Sequence, residues 1–136
     1  MNRRPADFPA NALGVPPYDE LVLAANARRL ASDPSYASAV RRFVAAFVAG
    51  TGAAMRNPRQ ATTVMQTVSQ YKPSFLRVSV PYTLKLLAPG NGTKAGCMSP
   101  RAWQSFGHWM RAHQLIHHAP DASALMTDRY LPYSSC

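Results

Sequence analysis

The chain has 136 residues and 14.9 kDa, with 47% hydrophobic, 10% aromatic and 15% charged residues. That composition excludes a disordered chain and suits one packed domain, and no apolar run nears the about 18 residues that span a bilayer, Phe43 to Ala49 being the longest. Fifteen Lys+Arg against six Asp+Glu leave a net charge of +9 and a pI near 10.3, which keeps two classes open: a binder of nucleic acid or other anions, and a helical domain that is merely basic.

Residues 1–19, broken by Pro5, Pro9, Pro16 and Pro17 and by Gly14, read as an extended, hinge-like arm, and residues 20–136 as a helical segment. The run Glu20-Leu21-Val22-Leu23-Ala24-Ala25 is the best strand candidate, with a short helix as the other reading. Beyond it the punctuation sharpens. Asp33-Pro34, Asn57-Pro58 and Ser99-Pro100 each set a side-chain acceptor before a proline at the first helical position, where the missing N–H would have had no partner anyway. Helices are therefore expected near 34–55, 58–71, 74–88 and 100–116, with Pro81 breaking or kinking the third. Tyr36, Val40, Phe43 and Phe47 share one helical face, as do Val64 and Val68, and as do Trp103, Phe106 and Met110. All nine are expected to be structural core. Pro89-Gly90-Asn91-Gly92 reads as a turn cluster, and Pro120-Asp121 as the cap of a short last turn. The fold class expected is mainly α with at most one or two short strands. A lone strand at 20–25 would need backbone partners that the rest of the chain does not offer.

Few constellations carry chemistry. His113 and His117 stand four apart beside His118, the spacing of a metal-binding helix, but only Asp121 is near enough in sequence to help. A solvated cluster at a helix C-terminus, where positive charge is favoured, is the preferred reading, and no metal is expected. Cys97 and Cys136 are too few for a disulfide framework and read as two thiols, with a disulfide as the alternative. Cys97 has no sequence neighbour that would make it a nucleophile, the acidic residues form no acid–base pair, and Gly90-Asn91-Gly92 lacks the pattern of a phosphate loop. The pairs Arg3-Arg4, Arg28-Arg29 and Arg41-Arg42 are scattered rather than striped, so no specific nucleic-acid partner is expected. Pro5, Asp7, Pro9 and Asn11 interrupt any apolar core of an export signal behind Arg3-Arg4, so the chain as written reads as cytoplasmic.

Three segments resemble the C-terminal portion of the ABC-transporter substrate-binding proteins that take up thiamine pyrimidine precursors, sulfonates and nitrate, which have the periplasmic-binding-protein type II fold. Gly14 to Leu23 is similar to their strand that returns across the hinge. Asp33-Pro34, Ala46-Phe47-Val48-Ala49-Gly50 and Asn57-Pro58-Arg59-Gln60-Ala61 are similar to their paired proline-opened helices. Gly96-Cys97-Met98, Trp103, Trp109-Met110, Leu115-Ile116 and Thr127-Asp128-Arg129-Tyr130-Leu131-Pro132 are similar to the closing run of the pyrimidine-precursor branch. Asp128 stands where that branch has asparagine, and Gln114 where it has glycine.

The resemblance, over residues 13–132, implies the terminal part of a two-lobed α/β fold. It implies a truncated or split solute-binding component of an ABC importer, for a small planar solute such as a thiamine pyrimidine precursor, with an ABC permease as partner. No enzyme activity and no cofactor are expected, and the family's location is periplasmic or extracellular and membrane-associated. The ligand-contact candidates are Tyr18 as an aromatic platform with Asp19 and Glu20 as hydrogen-bonding carboxylates, against the simpler reading that Tyr18 packs its loop onto the first helix. A chain supplying one wall of an inter-lobe cleft is expected to bind solute weakly or not at all alone, and to be a dimer, an aggregate-prone monomer or a complex with a separately encoded lobe. The alternative function is a basic helical interaction module that binds nucleic acid or a protein partner.

Overall fold

The computed structural model describes residues 8–88 and 93–136. Arg3-Arg4 and the cluster Pro89-Gly90-Asn91-Gly92 lie outside the described residues. A short 3-10 turn, Ala10–Leu13, precedes six α-helices: α1 (Ala27–Ser32), α2 (Pro34–Arg56), α3 (Pro58–Val68), α4 (Pro73–Leu86), α5 (Pro100–Ala112) and α6 (Ala122–Leu125). Among the described residues there is no strand, so the chain is mainly α.

The three cap–proline pairs start helices where the sequence places them. The Asp33 carboxylate accepts from the Tyr36 backbone N–H at 2.9 Å, the Asn57 side chain from that of Gln60 at 3.1 Å, and the Ser99 hydroxyl from that of Ala102 at 3.2 Å. Each bond satisfies one of the donors that a first helical turn leaves without an intrahelical acceptor. Asn26 caps α1 and Asp121 caps α6 in the same way, accepting from Arg29 and Ser123. The α1 turn went unforeseen because it follows directly on the apolar block at 20–25. That block is neither strand nor helix: Leu21, Val22 and Leu23 are exposed, and among the described residues there is no second strand to pair with it.

Two further expectations need correction. Pro81 does not break α4, which runs unbroken from Pro73 to Leu86. The ring's fixed φ is a helical value, and the missing N–H deletes a single backbone bond while the turns on either side keep theirs. The last long helix stops at Ala112 instead of reaching 116, because Gln114 adopts a left-handed φ of 59°. That turn lets the Leu115 N–H bond back to the Met110 carbonyl at 2.9 Å, closing the helix end.

The chain divides into two compact units. One comprises Met1–Ala24 with Met98–Thr127, and its α5 packs against α6. Here Gly107 and Ala122 are buried, and Pro120 lies where a Cβ on Gly107 would point. The other comprises Ala25–Cys97 with Asp128–Cys136, in which α1 packs on α2, and α2, α3 and α4 pack on one another. Its buried residues are Ala37, Leu76 and Thr62, whose hydroxyl donates to the Pro58 carbonyl at 2.8 Å. The predicted core residues Phe43, Phe47, Val64 and Val68 instead stay 59, 54, 53 and 72% exposed. A helical apolar period marks a face but supplies no neighbour for it, and among the described residues these four positions are left largely uncovered. Tyr36, Val40, Trp103, Phe106 and Met110 are half-buried.

Cys97 and Cys136 are joined by a disulfide, so the two-thiol reading is corrected. Around it, Lys94 Nζ donates to the Ser135 carbonyl at 2.6 Å and sits 5.3 Å from the Tyr133 ring centroid, while the Arg41 guanidinium stands 5.2 Å from that of Tyr130. Gly96, with φ 85°, passes so close to Leu131 that a Cβ would sit 3.0 Å from its Cδ2. These contacts hold the C-terminal segment to its unit.

Candidate functional site

In the first unit, α5 presents Trp103, Phe106 and Met110 along one face, and the arm lays Tyr18 and Asp19 over it. The Tyr18 and Phe106 rings are stacked, 4.3 Å between centroids and 8° between planes. The ladder continues from Phe106 to Trp109 at 5.8 Å, and from Trp109 edge-on to His113 at 4.5 Å. The Trp103 indole Nε1–H donates to Asp19 Oδ2 at 2.8 Å, which fixes the carboxylate at the rim of the aromatic row. Between them lies a cleft of about 130 Å3, closed on its other side by Gly107, Pro120 and Leu125.

Two of the three ligand-contact candidates thus meet. Tyr18 and Asp19 line the cleft, whereas Glu20 is exposed and takes no part in it. Tyr18 packs its loop onto α5 and not onto the first helix, and still leaves 43% of its surface exposed beside the cleft. Trp103, Phe106 and Met110, expected as core alone, line the same cleft. Their spacing marked the apolar face, but nothing in sequence tied them to residues 84 or more positions upstream.

The histidines do not gather. His108 bonds with Gln104 at 2.8 Å, His113 meets Trp109, and His117 and His118 are exposed. Among the described residues no group of three or more His, Cys, Asp or Glu side chains comes together.

The second unit holds a larger feature. Between α2, α3 and α4 runs an apolar groove of about 660 Å3, lined by Ala61, Val64, Met65, Phe75, Leu76 and Leu84, with Asn57, Gln60, Ser79 and Thr83 among its polar lining. Sequence periodicity placed the apolar stripes but gave no means of telling groove wall from core.

Two carboxylates are shifted. Asp33 is held below the usual carboxylate range, chiefly by the Tyr36 backbone N–H and then by its bond with the Arg29 side chain at 3.1 Å. Asp121 is lowered by the hydroxyl and then the backbone N–H of Ser123. Both are helix caps, and neither lines the cleft or the groove. No helix among the described residues is long and apolar enough to cross a membrane.

A family model described as NMT1/THI5 like matches residues 3–61. No curated protein and no solved structure matches the chain. The matched stretch takes in the arm with Tyr18 and Asp19, α1, α2 and the opening of α3, and it leaves out α4, α5 and the closing run at 96–132. Over residues 3–61, then, the chain is similar to the NMT1/THI5-like proteins, and the cleft joins that similar stretch, through Tyr18 and Asp19, to α5 beyond it.

Proposed function

We propose that the chain is a solute-binding component of an ABC importer, and that its solute is a small planar heterocycle such as a thiamine pyrimidine precursor. The NMT1/THI5-like match over residues 3–61 carries this reading, since that family is one of binding proteins and not of enzymes. The cleft supports it. An exposed aromatic edge at Tyr18 offers a stacking surface, and the Asp19 carboxylate has acceptor capacity beyond its bond to Trp103, which suits the amino group of a heterocycle.

The cleft is one wall of the site. Complete small-molecule sites enclose about 300–1,000 Å3, and this one offers about 130 Å3. The remaining walls come from further protein, in the manner of a truncated or split binding protein, and the permease is the downstream partner. The disulfide suits an oxidising compartment, so we place the working protein outside the cytoplasm.

The test is a titration of the full chain with aminopyrimidines, followed together by calorimetry and by amide and indole NMR shifts. The expected outcome is binding weaker than about 100 µM, equivalent to roughly 5.5 kcal/mol, with shifts confined to Tyr18, Asp19, Trp103 and their neighbours. A stoichiometric micromolar isotherm from a monomer would show that the site is already complete. Saturating solute with no shift at these residues would remove the cleft from the binding reading.

A further inference from the structure

Charge is divided unequally between the units. Ala25–Cys97 with Asp128–Cys136 carries eleven Lys+Arg against two Asp+Glu, whereas Met1–Ala24 with Met98–Thr127 carries four of each. The whole net charge of +9 therefore belongs to the unit that holds the apolar groove. No Asp or Glu occurs between Asp33 and Asp121, while α2, α3 and α4 with their connections bear seven exposed cations. The groove itself contains no charged side chain.

We propose that the α2–α3–α4 groove is a docking site for an acidic amphipathic helix of a partner protein. Its walls are open: Val64 and Phe75 are more than half exposed, so a small molecule would stay largely in water, whereas a helix laying a row of apolar side chains into the groove would cover them. An acidic helix would be drawn to the charge of +9 on this unit, with no acidic residue in α2, α3 or α4 to oppose it, which sets the partner's charge. A second copy of this chain does not fit, because none of the six helices contains an acidic residue and the two cationic units would repel. Nucleic acid does not fit either, since phosphates reward cations and not an uncharged apolar floor. The site lies in a different unit from the solute cleft and does not depend on the solute reading.

The experiment uses the full chain and two labelled helical peptides with the same leucine face, one flanked by glutamates and the other by lysines, read by fluorescence anisotropy. The glutamate peptide is expected to bind at micromolar Kd, at least about tenfold tighter than the lysine peptide, and to weaken as salt rises. Val64→Glu, at an exposed position and with circular dichroism as the control for an intact helix, should weaken the glutamate peptide about tenfold or more, and Val64→Ala should weaken it less. Equal binding of the two peptides, no binding of either, or no effect of Val64→Glu overturns the proposal. A dimer in sedimentation that Val64→Glu dissolves would give the groove to a second copy. Duplex DNA or anionic vesicles that outcompete the glutamate peptide would give it to those ligands.

Discussion

Gln114 shows what one residue does at a helix end. Its left-handed φ of 59° stops α5 and sends the chain toward Leu115, a conformation that costs a residue with a Cβ roughly 1–2 kcal/mol. Glycine would adopt that φ without strain. Gln114→Gly should therefore stabilise the first unit by about 1 kcal/mol, seen as a raised midpoint in urea denaturation followed by Trp fluorescence. An unchanged or lowered midpoint would mean that the Gln114 side chain makes up for its backbone strain. Trp103 is the opposite case, where spacing announced a buried residue but did not reveal its bond to Asp19.

At the scale of elements, the caps dominate. Asp33 opens the 23-residue α2, and its carboxyl is held low by the Tyr36 N–H and by Arg29. A folded-state pKa below the unfolded one adds stability that is present above the unfolded value and is lost as pH falls through the folded one. Helicity is thus expected to hold from neutrality to about pH 4 and to decline below it as Asp33 and Asp121 protonate. Asp33→Asn keeps the capping oxygen without the titration, so the acid loss measured by circular dichroism should shrink in that variant. The same loss in both proteins would take Asp33 out of the acid transition. The proline-opened starts were legible because cap and proline are adjacent in sequence. The persistence of α4 through Pro81 was not, because it depends on the turns around the proline and not on the residue itself.

At the scale of the molecule, the Cys97–Cys136 bond closes a loop that carries α5 and α6 and returns the chain to the unit it left. Loop-closure entropy for a sequence separation of 39 corresponds to about 4 kcal/mol of stabilisation. Reduction should therefore lower the thermal midpoint of the wild-type chain and leave that of Cys97→Ser/Cys136→Ser unchanged. An intact mass two hydrogens heavier than the disulfide form, after aerobic purification, would refute the bond. Together with the contacts of Lys94 and Arg41, the bond keeps the C-terminal segment on its unit.

By itself the sequence determined the class of this protein and the beginnings of its long helices, because both follow from interactions within a few residues: a cap beside a proline, and apolar side chains three or four apart. It also determined that the chain is strongly basic and that its arm pairs an aromatic residue with carboxylates at Tyr18, Asp19 and Glu20. Only the tertiary structure decided which apolar stripes become core. Phe43, Phe47, Val64 and Val68 have the right period yet stay exposed, since burial depends on a neighbouring surface and periodicity does not say whether one is there. It also chose Tyr18 and Asp19 over Glu20 for the cleft, by bringing α5 under the arm, and it joined Cys97 to Cys136. Each of these rests on contacts between distant parts of the chain, which local spacing does not encode.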